Sequence, residues 1–276
     1  TQRPLWEVIG GERSWGVEIP KGLNGKVLLG YTVEEFCYWA KCNFCTYPGD
    51  NTKIKFDPNF VNDLNDGYLR VFLNSPALSP KFLKTYLPQL KPRNDIDYWT
   101  HLRCDTGVFR VLESTFKECQ RAGFNLAHFC PLTGLEFPSN RMLAWMKKGH
   151  DLDIVLRTFE LYHKYRLRPA ISLIFGWANL TAEDIKEARE FLFRLSDVMR
   201  GRVSVKCHSL AAKVNTDLYK DAPEGTTIRL GPFELGRILE LDSEQQELNS
   251  QYREVLMKAG FLHLVDMGLN PENDFL

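Results

Sequence analysis

The chain has 276 residues, 44% of them apolar, which suffices for one sizeable core and fits a single α/β domain of barrel-like size better than two full domains. Lysine plus arginine balances aspartate plus glutamate at 35 each, so no global basic field holds nucleic acid by charge alone, and no clear nucleic-acid signal is present. Seven cysteines, three clustered and four scattered, do not form a disulfide framework, and the longest apolar stretches, such as 170–175, fall far short of a membrane span. The expectation is therefore a soluble protein of a reducing compartment, the cytoplasm, with no membrane association. Thr1 in place of Met is what a fragment of a longer protein or a processed form would show.

Residues 1–25 carry Gly10, Gly11, Pro20, Gly22 and Gly25 without a sustained period, an irregular lead-in with Trp6 and Trp15 as packing anchors. Residues 26–31 read as a buried first strand, followed by a cysteine-rich loop and a turn at Pro48-Gly49-Asp50-Asn51. A second strand at 68–73 leads through Asn74-Ser75-Pro76 to Ser79-Pro80, a helix cap with a first-turn proline. Phe82, Leu83, Tyr86, Leu87 and Leu90 then form an apolar face, and Pro88 marks the end of the helix or a kink. A third strand at 96–102 precedes a helix with the stripe Val108, Val111, Leu112, Phe116 and Cys119, ending near Gly123. Residues 125–129 read as a fourth strand in which His128 alternates with apolar neighbours, a core histidine. A connection at 130–136 follows, then helical patterns at 140–147 and 152–165.

A fifth strand at 170–175 is followed by a helix capped by Thr181, with Ile185, Ala188, Phe191, Leu192, Leu195 and Val198 at helical spacing. Residues 203–207 make a sixth strand. Strands alternating with helices in this way argue for parallel strands with right-handed crossovers, curved into an open barrel. Beyond Asn215 the alternation gives way to a loop rich in Gly and Pro. A last helix starts at Ser243, with Gln246 as a capping-box partner, and 261–265 reads as a short edge strand.

The chemistry concentrates in the loop after the first strand, where Cys37, Cys42 and Cys45 fall within nine residues. Two residues separate Cys42 from Cys45, a spacing that turns both sulfurs toward one metal centre, and Cys37 is near enough to close around it. No local group supplies the fourth ligand expected of structural zinc, since the next candidates are His101 and Cys104. Three thiolates suit an iron-sulfur cube with one iron left open to a reacting molecule. Zinc completed from elsewhere and thiols without a common ligand stay open as alternatives.

The order of parts resembles the radical S-adenosylmethionine (SAM) enzymes over residues 26–219. Lys41-Cys42-Asn43-Phe44-Cys45-Thr46-Tyr47 is similar to the second half of that family's cluster motif, although four residues rather than the usual three separate the first two cysteines, and Tyr38 stands at the expected position. His101-Leu102-Arg103-Cys104-Asp105, Gly134-Leu135-Glu136 through Lys148-Gly149-His150, and Ile174-Phe175-Gly176-Trp177 resemble strand-end motifs of the branch containing methylthiotransferases and cobalamin-dependent members. Asn215-Thr216-Asp217-Leu218-Tyr219 resembles its segment after the sixth strand. The resemblance implies a partial (βα)6 TIM-like barrel at 26–219, with a C-terminal extension at 220–276 packing on it.

It further implies a [4Fe-4S] cluster on Cys37, Cys42 and Cys45, with SAM on the fourth iron cleaved reductively to methionine and a 5'-deoxyadenosyl radical that takes hydrogen from a substrate. Phe44 is then placed near the adenine, Asn74 and Ser75 near the methionine amino group, Arg103 near the carboxylate and Glu136 near a ribose hydroxyl. Ile174 and Gly176 lie along the adenine, and Cys130 and His208 lie near the substrate. Each has a plainer reading: Phe44 as a cover for the loop, Asn74 and Ser75 as a helix-entry turn, Arg103 or Glu136 in a strand-end ion pair, Gly176 in a tight turn, Cys130 and His208 in the core. An electron donor such as flavodoxin or ferredoxin is the implied partner, and the substrate, an organic molecule or a macromolecule, is not identified. The look-alikes suggest methyl or sulfur transfer or a rearrangement. No cobalamin-binding motif is found, so cobalamin would belong to a segment not present.

Overall fold

The computed structural model describes residues 21–22, 26–47, 54, 56–62, 69–91, 93–221, 225–230 and 232–260. The expectations for Trp6, Trp15, the Pro48-Gly49-Asp50-Asn51 turn and the strand at 261–265 lie outside these.

Seven strands form the main sheet in sequence order: β1 (Lys21–Gly22), β2 (Lys26–Thr32), β3 (Leu69–Asn74), β4 (Ile96–His101), β5 (Phe129–Glu136), β6 (Ala170–Phe175) and β7 (Ser204–Ser209). β1 runs antiparallel to β2, and β2 through β7 are parallel neighbours, so six strands share one direction. The sheet is curved. Lys206 of β7 lies 5.7 Å from the ring centroid of Trp99 on β4, whereas in a flat sheet strands three places apart stand about 14 Å apart. One face of each strand turns inward, carrying Phe72, Trp99, His101, Ser172, Lys206 and His208 in half-buried positions. The alternate residues Val71, Leu73, Tyr98, Leu173 and Val205 are fully buried.

Helices form where their first turns are capped. α1 (Pro58–Asn62) and α2 (Pro80–Thr85) follow β2 and β3, and Ser79 caps α2 by accepting from Phe82 N at 3.1 Å. α3 (Thr106–Arg121) starts on Asp105, which accepts from Val108 N at 3.0 Å. α4 (Asn140–Trp145) starts on Ser139 and α5 (Leu152–Lys164) on Asp151. α6 (Ala182–Met199) has a full capping box between Thr181 and Asp184. α3 packs on α2 and α5, and α6 packs between α5 and α8 (Ser243–Lys258), which closes the outer layer.

Four sequence readings are corrected. The fourth strand is Phe129–Glu136, not 125–129: Asn125 turns the chain by accepting from Ala127 N at 3.2 Å. Pro131, which a central strand usually excludes, had made 130–136 read as a connection. His128 is accordingly not on a strand but in a 3-10 turn, with Nδ1 2.8 Å from Asp97 Oδ1. The region beyond Asn215 is not simply a loop. After α7 (Asp217–Asp221), β9 (Gly225–Leu230) and β10 (Phe233–Leu239) pair antiparallel, and β10 also pairs with β8 (Ala212–Lys213). Lastly, α8 starts at Ser243 as expected but is capped by Asp242, and Gln246 Nε2 donates to Leu241 O at 2.8 Å rather than completing a capping box.

Candidate functional site

A cavity of about 350 Å³ opens at the carboxyl ends of the parallel strands, the place where open α/β sheets put their ligands. Cys37, Cys42 and Cys45 all line it, with Phe44 and Tyr47 from the same loop.

The loop is held by the residues between its thiols. Glu34, 1% exposed, accepts from Ser75 Oγ at 3.1 Å and from Ser79 N at 2.8 Å, which ties the loop's start to the capped end of α2. Burial pushes its carboxyl up, against the bonds from Ser79 and Ser75. Tyr38 OH donates to Asp105 Oδ2 at 2.6 Å, fastening the loop to the start of α3, and burial followed by the Asp105 charge drives its phenol upward. Trp39 Nε1 donates to Lys147 O at 2.8 Å. A methyl group on Gly149 would stand 1.9 Å from Trp39 Cζ2, and φ there is +70°, so this close approach requires glycine. Asn43 N donates to Met146 O at 3.2 Å and Asn43 Nδ2 to Trp145 O at 2.9 Å.

Between Cys37 and Cys42 the chain doubles back at Ala40, φ 46°, whose N–H donates to Cys37 Sγ at 3.4 Å. The extra residue of the spacing is thus taken up in a compact turn, with Tyr38 directed to Asp105 and Cys37 to the cavity.

Two cations serve the thiols. Arg103, 7% exposed, donates through Nε to Asp105 Oδ2 at 3.0 Å, through Nη2 to Lys148 O, and reaches Cys42 Sγ through Nη1 at 3.9 Å, while its guanidinium lies 4.9 Å from the Trp39 ring centroid. Lys148 Nζ lies 3.0 Å from Glu136 Oε1 and 5.6 Å from the Phe44 ring centroid. Burial pushes the Cys45 thiol up, and Cys42 and Cys37 add to this, while the Tyr47 backbone bond and Lys148 oppose it. Any metal taken up here must therefore displace a proton that the bare site retains.

Glu136 sits at a kink, with φ 63° and a register shift between Gly134 and Glu136. A methyl group on Gly134 would lie 2.4 Å from Glu136 Oε1, so the glycine leaves room for the Glu136–Lys148 pair. Ser172 Oγ is 3.5 Å from Glu136 Oε2. Phe44 meets the fully buried Trp177 edge-on at 6.1 Å, and Trp145 meets the same ring at 5.8 Å.

Of the residues singled out from sequence, the cavity wall brings together Cys37, Cys42, Cys45, Phe44, Arg103, Glu136 and His208. It does not include Asn74, Ser75, Cys130, Ile174 or Gly176. Asn74 Nδ2 donates to Thr32 Oγ1 at 3.3 Å, and Ser75 is fully buried against Glu34. Ile174 stands in register with His208, its carbonyl accepting from Trp177 Nε1, and Gly176 N donates to Asn249 Oδ1 at 2.8 Å. Cys130 is 2% exposed and in register with Trp99. Sequence reasoning passed over Ser172 and Lys206 in the wall and His101 as a wall residue rather than a distant ligand candidate. The signal for the first two was their period-two alternation with Ile171, Leu173 and Val205. Burial pulls His101 below its ordinary value, against a bond with Ser75 O at 3.1 Å.

No protein-family model matches the chain, and no curated protein matches it. Among solved structures, the cobalamin-dependent S-adenosylmethionine radical enzyme OxsB with aqua-cobalamin and S-adenosylmethionine bound is similar at TM-score 0.59 and 13% identity, over 84% of this chain and 41% of that one. Its apo form is similar at TM-score 0.61 and 12% identity, over 84% of this chain and 42% of that one. The chain thus spans about two fifths of the length of OxsB and shares its fold across that part.

Proposed function

We propose that the chain is a radical SAM enzyme in which Cys37, Cys42 and Cys45 hold a [4Fe-4S] cluster and the cavity receives S-adenosylmethionine and a substrate. The observation that carries this reading is that three thiols of irregular spacing all open into one cavity at the carboxyl ends of six parallel strands. The cavity's volume is within the range of small-molecule sites.

When bound, the cluster supplies the electron that splits SAM into methionine and a 5'-deoxyadenosyl radical able to take hydrogen from an organic substrate. The chain's own residues supply the surroundings. Arg103 reaches Cys42 Sγ, and the Lys148 charge opposes the upward push that burial gives the Cys45 thiol. Glu136, fixed by Lys148, offers its second oxygen to a ribose hydroxyl, and Phe44, backed by Trp177, offers an apolar edge to the adenine. Ser75 acts from behind the wall by holding Glu34 and so the loop, while Asn74, Ile174 and Gly176 shape the strand ends. His208 meets the substrate from the inner face, and Cys130 lies deeper on that face.

The unit that carries this chemistry is a partial barrel over 26–219, with 220–276 as an extension upon it. Methyl transfer, sulfur transfer and rearrangement are the candidate reaction classes, and flavodoxin or ferredoxin is the candidate electron donor. Cobalamin, which OxsB binds, is assigned to no residue of this chain. Purified without oxygen, the protein is expected to carry iron and sulfide and to form 5'-deoxyadenosine from SAM on reduction. Cys42→Ala with Cys45→Ala removes the iron. Unchanged iron in that variant, or zinc without sulfide in the parent, refutes the proposal.

A further inference from the structure

Two charge environments share the cavity. Around the thiols each cation has a counter-charge: Arg103 pairs with Asp105 and reaches Cys42, and Lys148 pairs with Glu136. On the β7 wall stands a third cation, Lys206, half-buried and lining the same cavity, with no carboxylate at ion-pair distance among the described residues. Its neighbour is the ring of Trp99, 5.7 Å away, and the Arg70 guanidinium lies 5.7 Å from that same ring centroid. Two donors of this group, Arg70 Nε and Trp99 Nε1, are buried without an acceptor among the described residues.

A buried ammonium without an anion is costly, and so is each buried donor without an acceptor. Burial lowers the proton affinity of Lys206. A cation that lines the cavity without a counter-charge is complementary to one kind of group, an anion with several oxygens.

We propose that Lys206 is the substrate's anion-binding residue: the molecule acted on carries a carboxylate or phosphate that pairs with Lys206 on the β7 wall. This rests on reading the cavity as the substrate mouth. Bound anion restores charge balance beside Trp99 and fixes one end of the substrate, leaving its other end toward the thiols. Neutral hydrocarbons and cationic substrates are disfavoured, because they would leave the ammonium desolvated without compensation.

The test is residue-resolved lysine labelling of the anaerobically purified full chain. A brief pulse of an amine-acylating reagent is given in chloride, inorganic phosphate or acetate at equal ionic strength, and labelling at Lys206 is read by mass spectrometry. Phosphate or acetate is expected to protect Lys206 saturably, by about fivefold when the anion stands near four times its Kd, while Lys186 on the exposed face of α6 labels equally throughout. Protection by phosphate but not acetate assigns a phosphate, and the reverse assigns a carboxylate. Equal labelling of Lys206 in all three salts overturns the proposal. Iron and sulfide assayed in the same samples judge the cofactor reading separately: protection in a protein without iron sustains the anion site and sinks the cluster.

Discussion

Replacing Lys148 by Met removes one half of the Glu136–Lys148 pair and nothing of similar volume. Both side chains are largely out of water, at 6% and 11% exposed, and their charged atoms are 3.0 Å apart. Removing one partner of a buried pair leaves the other charge without compensation, at about 3–5 kcal/mol. Glu136 faces a cavity that admits water, and Ser172 Oγ is within 3.5 Å of its other oxygen, so the lower end applies and about 3 kcal/mol is expected. Glu136→Gln with Lys148→Met removes both charges and recovers much of this, with a coupling energy of about 1.5–3 kcal/mol. Urea unfolding of iron-free protein measures these values without metal linkage, and constant m-values would confirm that the unfolded state is unchanged. A loss below about 0.5 kcal/mol for Lys148→Met, or a double variant whose cost equals the sum of the singles, would refute the pairing argument.

Ala40 holds φ 46° between the first two thiols, a conformation that glycine adopts freely and alanine does not. Ala40→Gly is therefore expected to stabilise the protein by up to about 1 kcal/mol in the same urea assay, and a loss of stability would show that the turn does not need this backbone. Asp184 joins the starts of α4 and α6, accepting from Ser139 Oγ at 2.6 Å, Arg141 Nε at 3.0 Å and Thr181 N at 2.8 Å. Burial raises its carboxyl, but the bonds from Arg141, Ser139 and Thr181 outweigh this and hold it below its ordinary value. The stability it contributes is thus fully present above the unfolded value and lost as pH falls through the folded one. Asp184→Asn is expected to cost about 1–3 kcal/mol at neutral pH and to show a shallower acid limb in Tm against pH; an acid limb as steep as the parent's would contradict this.

The alternation of strands and helices was legible because the apolar stripes are local: Val108, Leu112, Phe116 and Cys119 announce α3 without knowledge of what they pack on. Pro131 obscured β5, since a proline in a central strand costs a ladder bond and only tertiary pairing reveals that this sheet accepts it. The three thiols were legible from spacing, whereas their anchors were not. Glu34, Tyr38, Trp39 and Asn43 bond to partners 41 to 108 positions away, and no sequence period encodes such pairs. Lys206 was passed over for another reason. A lysine on a strand reads as a solvated face, and only the curvature that brings β7 against Trp99 turns it inward.

The irregular spacing before Cys42 carries less weight than counting residues suggests. What a multi-iron cluster requires of a loop is that its thiols share one cavity, and the intervals between them matter only through where each side chain points. Here Tyr38 occupies the position at which a shorter interval would place the first cysteine, and its hydroxyl is bonded to Asp105, a residue already committed to capping α3 and to Arg103. A cysteine at 38 would be drawn toward that buried junction, while Cys37 faces the cavity because its neighbour does not. The added residue is taken up by the left-handed turn at Ala40, and the loop closes against Lys147 and Gly149 through Trp39. The same Arg103 that secures the junction reaches Cys42, so the element correcting the spacing also supplies charge to the thiols.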